Sequence, residues 1–222
     1  MELSVYDCDA HTIIHHEMWH DNGYQWPLIT IQIPIYKEPF REVIIPTLEN
    51  AMAARDLYIG PCNILVCDDG YAWQSEEEQA IKREYYSRHN IGWIARGRDG
   101  RRGRFKKASN LNHSLQLICD IFPISKWLVN GKCYNKKSSK IVEPSGYSII
   151  DVDRYLDTKW GGLSEIGKYI ILIDSDSRIA VDHINEAVWA IEERPNVAFI
   201  QFKTRALSTI DDDKRPGGWF QW

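Results

Sequence analysis

Two short apolar runs in this chain stop abruptly at acids. Asn63-Ile64-Leu65-Val66-Cys67 runs into Asp68-Asp69-Gly70, and Lys168-Tyr169-Ile170-Ile171-Leu172-Ile173 runs into Asp174-Ser175-Asp176. Unbroken β-branched and aliphatic residues over this length read as strands buried on both faces, the pattern of a parallel sheet covered by helices. In such sheets ligands bind just beyond the carboxyl ends of the strands, where these acids fall. Asp174 and Asp176 are two apart, so in extended chain their side chains point to one side. Two carboxylates aimed together repel unless a cation lies between them. Mg²⁺ and Mn²⁺ take oxygen ligands of this kind, often shared with substrate phosphates.

The rest of the pattern alternates strand and helix. Leu28 to Ile35 reads as a first strand, stopped at Pro34 and Tyr36-Lys37-Glu38-Pro39. Phe40 to Arg55 reads as a helix through Val43, Ile44, Leu48 and Met52, with Pro46 as an irregularity. Ile64 to Asp68 is the second strand. Ser75-Glu76-Glu77-Glu78 is a capping box that opens a helix running toward Asn90. Ile91 to Ala95 is a short third strand, followed by a basic segment from Arg96 to Lys107 and a helix entered through Ala108-Ser109-Asn110-Leu111-Asn112. Ile170 to Ile173 is the fourth strand. Asp182 caps a helix with Ile184, Val188 and Ile191 on one face, ended by Pro195, and Val197 to Gln201 is a fifth strand. This order predicts an open α/β sheet.

Five segments, taken in order, resemble the family 2 glycosyltransferases, in the cellulose-, chitin- and hyaluronan-synthase-like branch. They are Pro34-Ile35-Tyr36-Lys37-Glu38, Cys67-Asp68-Asp69-Gly70, Lys107-Ala108-Ser109-Asn110-Leu111-Asn112, Asp174-Ser175-Asp176 and Val197 to Gln201. The resemblance implies a GT-A fold, a Rossmann-like, open, mostly parallel sheet with helices on both faces. It implies a UDP-sugar donor, a saccharide acceptor and Mn²⁺ or Mg²⁺. On it, Pro34, Tyr36 and Glu38 border the nucleotide pocket, Asp68 contacts uracil or ribose, and Asp69 supports it. Lys107 and Asn110 belong to the donor-binding set, Asp174 also touches the donor, and Asp174 and Asp176 hold the metal on the diphosphate. Ser109 stands where the family usually has Gly.

Other motifs compete for these roles. Asp7-Cys8-Asp9, Asp151-Val152-Asp153 and Asp211-Asp212-Asp213 are acidic pairs too, but no helix-plus-strand unit follows Asp151, whereas Asp174 has one. The cluster Arg96, Arg98, Arg101, Arg102, Arg104, Lys106 and Lys107 reads as a solvated loop, as a nucleic-acid or nuclear-import patch, or as a loop bringing cations and a helix N-terminus to a diphosphate. The Lys-Ala-Ser-Asn-Leu-Asn that follows favours the last, with Lys107 as its functional residue. His16-Glu17-Met18-Trp19-His20 has the spacing of a zinc-hydrolase helix, with Glu38 or Glu42 as a third ligand. That segment is short, soon broken by Asn22-Gly23 and Pro27, and reads as a chance match, as do His11 and His15.

The His-rich, irregular residues 1–26 read as an N-terminal extension; the domain that the resemblance marks as nucleotide-sugar-binding runs over 27–207, with an insertion at about 121–167 read from its repeated Pro, Gly, Ser and Lys interruptions, and 208–222 reads as a tail. Past the fifth strand the family continues to an acidic motif that supplies the general base, and then to a Gln-x-x-Arg-Trp motif; neither is found here. The chain therefore reads as the donor-binding half of an inverting transferase, with no catalytic base identified. A catalytically silent nucleotide-sugar-binding fragment is the alternative.

Composition bounds the remaining classes. A net charge of −4 gives no global reason to expect nucleic acid or an anionic membrane. Cys8, Cys62, Cys67, Cys119 and Cys133 include no C-x-x-C pair, which argues against a disulfide framework or structural zinc and for a reducing compartment. The acidic start lacks the regions of a signal peptide, and no apolar stretch spans a bilayer. The expectation is a cytoplasmic protein, or one at the cytosolic face of a membrane, with any membrane association supplied by a longer parent chain.

Overall fold

Residues 29 to 35 bury every side chain, Thr30 and Gln32 included, so both faces of this strand are covered. In the computed structural model, residues 24–97, 106–121, 133–134, 141–142, 157–194 and 196–202 are described. Strand β1 is Ile29–Ile35, β2 is Cys62–Asp68, β3 is Gly92–Ala95, β4 is Cys133–Tyr134, β5 is Ile141–Val142, β6 is Lys159–Gly161 and β7 is Tyr169–Leu172. Helices are α1 over Ile45–Leu57, α2 over Glu76–Arg88, α3 over Lys106–Ile121 and α4 over His183–Glu192. Five strands form one mostly parallel sheet in the order β6-β3-β2-β1-β7, and β4 and β5 make a separate antiparallel pair. β2 and β3 run parallel, with Leu65 opposite Gly92, and β6 is antiparallel to β3. The fold is α/β, with the open, Rossmann-like sheet expected of it.

The chain divides into two compact units, one of residues up to Ile31, Glu38–Ile64 and from Gly167 onward, the other of Gln32–Lys37 and Leu65–Ile166. In the second unit, Leu65, Cys67, Ile94, Leu117 and Ile118 form a buried cluster, with Leu111, Leu163 and Ile166 packed against it. Ser75 begins α2 with a complete capping box. Its hydroxyl accepts from the Glu78 N–H, and the Glu78 carboxylate accepts from the Ser75 N–H at 2.9 Å. Tyr71 stacks on Trp93 with ring centroids 5.1 Å apart.

In the first unit, α1 follows a single π-helical turn over Phe40–Ile44. Pro46 therefore lies in the first turn of α1, where its missing N–H costs nothing, and the irregularity expected at Pro46 falls in the turn before it. Asn50 ties α1 to the Ile179 backbone in both directions, donating to its carbonyl at 3.0 Å and accepting from its N–H at 2.8 Å. The Gly167 N–H donates to the Thr30 hydroxyl at 2.8 Å, fastening the approach to β7.

Three expectations need correction. β7 was expected to be buried on both faces, but it ends the strand order, and its pleat leaves Ile170 and Leu172 exposed. Val197 to Gln201 forms no strand. The Val197 N–H turns back to the Arg194 carbonyl, and Phe199 is 65% exposed, so a short apolar run without a ladder partner stays irregular. The fifth strand is instead β6, from the stretch read as an insertion. Asp182 occupies the residue before α4 but makes no side-chain capping bond, its backbone being helical rather than extended.

Candidate functional site at the carboxyl end of β2

β2 ends in a buried ionic turn. Asp68 is fully buried; its Oδ2 accepts from Lys82 Nζ at 2.6 Å and its Oδ1 from the Gly70 N–H at 2.8 Å. Burial pushes the Asp68 carboxyl above its ordinary 3.8, against the opposing pull of Lys82 and of the Gly70 and Tyr71 N–H groups. Lys82 reaches it because Gln79, Lys82 and Tyr86 line the buried face of α2 at helical spacing. Gly70 is required by close approach rather than by unusual dihedrals. A Cβ there would overlap the Tyr36 carbonyl, and the neighbouring Asp69 N–H donates to the Ile35 carbonyl at 2.9 Å. The Pro34-Ile35-Tyr36 segment and the Asp68-Asp69-Gly70 turn are thereby locked together.

Asp69, also buried, is gripped by the fork of Arg96. Nε donates to Oδ1 at 2.7 Å and Nη2 to Oδ2 at 2.6 Å. The same guanidinium donates through Nη1 to the Ser109 hydroxyl at 2.8 Å, and Nη2 reaches the Lys106 carbonyl at 3.4 Å. Asn110 Nδ2 donates to the Cys67 carbonyl at 2.8 Å, while Asn110 Oδ1 is buried with no hydrogen-bond partner among the described residues. Cys67 is a packing residue here. Gln32 Nε2 donates to its sulfur at 3.3 Å, and burial pushes its thiol up to about 11.

Around this turn, Pro34 is buried, Tyr36 is half-buried and Trp73 is exposed, the last two rings meeting edge to face at 6.2 Å. Lys37 lies 5.2 Å from the Tyr36 ring centroid. Lys106 and Lys107 are exposed in the first turn of α3, which carries no acid. Among the site residues expected from sequence, Pro34, Tyr36, Asp68, Asp69, Lys107 and Asn110 all fall in this second unit.

Glu38, Asp174 and Asp176 belong to the first unit. Past β7 the chain does not stay extended, as expected for the two acids, but turns, with the Ser177 N–H donating to the Asp174 carbonyl at 3.0 Å. The Ser175 carbonyl accepts from the Thr47 hydroxyl at 2.7 Å, which pins the turn to α1. Asp174 and Asp176 are exposed while Ser175 between them is buried. Two exposed carboxylates on an anchored turn suit a hard divalent cation, which commonly takes one or two carboxylates and completes its shell with water and phosphate oxygens. No group of three or more His, Cys, Asp or Glu residues placed to hold a metal occurs among the described residues.

The His11, His15, His16, Glu17 and His20 motif, the acidic pairs at Asp7, Asp151 and Asp211, and Arg98, Arg101, Arg102 and Arg104 lie outside the described residues. Two members of the ionic turn were not singled out in the sequence. Lys82 left a signal, a lysine on the same helical stripe as Gln79 and Tyr86; Arg96 was legible only as one of a basic cluster. No protein-family model matches the chain, and no curated protein matches it significantly. No described helix is long and apolar enough to cross a membrane.

Proposed function

We propose that this chain is a GT-A nucleotide-sugar-binding domain of a metal-dependent, inverting glycosyltransferase similar to family 2, taking a UDP-sugar as donor and a saccharide as acceptor. The observation that carries the reading is the ionic turn ending β2. Three separate segments that resemble family motifs, at Pro34-Tyr36, Asp68-Gly70 and Lys107-Asn110, converge there through direct hydrogen bonds and one steric fit.

In this reading the buried pair Asp68 and Asp69 holds the strand-end backbone in place. Within the second unit, contact with the donor falls to Tyr36, Lys107 and Asn110; within the first, Glu38 is assigned to the nucleotide and Asp174 and Asp176 to the metal. Asp174 and Asp176 would hold a Mn²⁺ or Mg²⁺ ion, which would supply charge neutralisation to the leaving diphosphate. Lys107 by its charge and the start of α3 by the helix dipole favour anions. These residues account for the donor half of a transfer reaction, and none is assigned as the base toward an acceptor hydroxyl. A second reading, a silent nucleotide-sugar-binding module, rests on that one-sidedness; detectable sugar transfer by the chain would eliminate it.

The test is calorimetric titration of UDP and GDP, with and without Mn²⁺, into the wild type and Asp174→Asn. The expected result is UDP binding that depends on Mn²⁺ in the wild type and loses that dependence in the variant. Absence of binding by either nucleotide overturns the proposal.

A further inference from the structure

β7 is the last strand in the sheet order, so among the described residues no strand pairs with its outer edge. Its pleat sorts the side chains cleanly. Tyr169 and Ile171 are half-buried and Ile173 is buried, whereas Lys168, Ile170, Leu172 and Asp174 are exposed. The exposed strip is therefore basic at one end, acidic at the other and apolar between, with Ile170 at 41% and Leu172 at 52% exposure. Lys168 donates to Glu192 yet keeps 55% of its side chain exposed, and an ammonium has three donors, so a second carboxylate can share it. Edge strands that stay single are commonly blunted by charge or proline, and the four residues of β7 contain neither. The order of charges also selects the strand that fits. A parallel copy in the same register would set Lys168 beside Lys168 and Asp174 beside Asp174. An antiparallel copy centred on Ile171 sets Lys168 opposite Asp174 at both ends and Ile170 opposite Leu172 between them, all on one face. That arrangement uses one patch twice about a two-fold axis, the ordinary form of a closed dimer interface.

We propose that the outer edge of β7 is a self-association surface, to which a second copy of this chain adds its own β7 antiparallel. Main-chain hydrogen bonds between the two edges supply the attraction, and the strip of exposed side chains sets the register. One short strand from each copy makes a small contact, so the dimer belongs with the weak, reversible class. Nucleotide binding is not needed for this contact. The two sites meet only at Asp174, where a bound Mn²⁺ would compete with Lys168 of the second copy, so association is measured without added divalent cation.

Sedimentation equilibrium of the full chain at several concentrations reads the association directly, and the wild type is expected to dimerise. Two double variants carry the test: Ile170→Glu with Leu172→Glu, and Ile170→Lys with Leu172→Lys. Both positions are exposed, so both variants are expected to fold, and thermal unfolding checks it. Each variant alone sets like charges opposite one another and is expected to lose at least about tenfold in dimer affinity. An equal mixture of the two sets Glu opposite Lys and is expected to restore a dimer containing one copy of each. A wild type that stays monomeric up to about 1 mM overturns the proposal. So do variants that dimerise as well as the wild type, and a mixture that stays monomeric. If either variant fails to fold, carbodiimide cross-linking of ¹⁵N-labelled with unlabelled wild type decides the question. A link from Lys168 of one copy to Asp174 of the other is expected, and a dimer without it overturns the antiparallel pairing.

Discussion

Replacing Lys82 with Met tests whether the end of β2 depends on its buried ion pair. The Lys82 and Asp68 side chains are 2% and 0% exposed, and Nζ sits 2.6 Å from Oδ2. Met keeps the length and much of the apolar stem, so the packing loss is small and the change is chiefly electrostatic. Removing one partner of a buried pair leaves the other charge uncompensated, which typically costs about 3–5 kcal/mol. Asp68 can limit that cost by taking up a proton. Its folded-state value already lies above 3.8 through burial, and losing Lys82 raises it further. The sign follows: with the folded value raised, the folded state binds more protons than the unfolded one, so stability is greatest below the unfolded value and declines as pH rises through the folded value. The penalty of Lys82→Met is therefore expected to shrink as pH is lowered from 8 toward the carboxylate range. Urea unfolding of both proteins across that range measures it. In the double variant Lys82→Met with Asp68→Asn, most of the loss at neutral pH should return, because both charges are gone. A penalty at neutral pH below about 1 kcal/mol, the range of an exposed pair, would refute the argument; so would a penalty that grows toward acid, or a double variant no better than the single one.

Gly70→Ala places a methyl against the Tyr36 carbonyl, and overpacking of this kind is expected to cost about 1–3 kcal/mol or more in urea unfolding, with loss of UDP binding. Thr47→Val removes the donor to the buried Ser175 carbonyl; it should cost about 1–3 kcal/mol and weaken the Mn²⁺ dependence of UDP binding measured by titration. Ser75→Ala removes the cap of α2 and should cost about 1 kcal/mol in thermal or urea unfolding without touching nucleotide affinity. The Ser75 backbone N–H bond holds the Glu78 carboxyl below its ordinary 4.5, so the capping box contributes above that value and its share fades as pH falls through the lowered one.

Much of the fold was legible because its signals are local. The strand at β1 and the core of β2 follow from unbroken apolar runs, and the start of α2 from four residues, Ser75 to Glu78, whose capping chemistry is complete within one turn. The readings that failed concern partners distant in sequence. Val197 to Gln201 has a strand's composition but no ladder, while Lys159–Gly161 has little strand character and nevertheless pairs with Trp93, Ile94 and Ala95. Composition cannot distinguish those cases, since a strand is defined by the neighbour that accepts its hydrogen bonds. The exposed face of β7 was hidden for the same reason: an apolar run looks alike whether one face or both are covered.

The candidate site divides along the same line. Sequence alone determined which acids stand at strand ends, which glycine follows them and where α3 begins, because a short buried strand must end in a turn and its polar residues collect there. Only the tertiary structure decided which charges meet. It took Lys82 from a helix surface and Arg96 from a basic cluster and spent both on Asp68 and Asp69, because two carboxylates cannot be buried at a strand end without cations beside them.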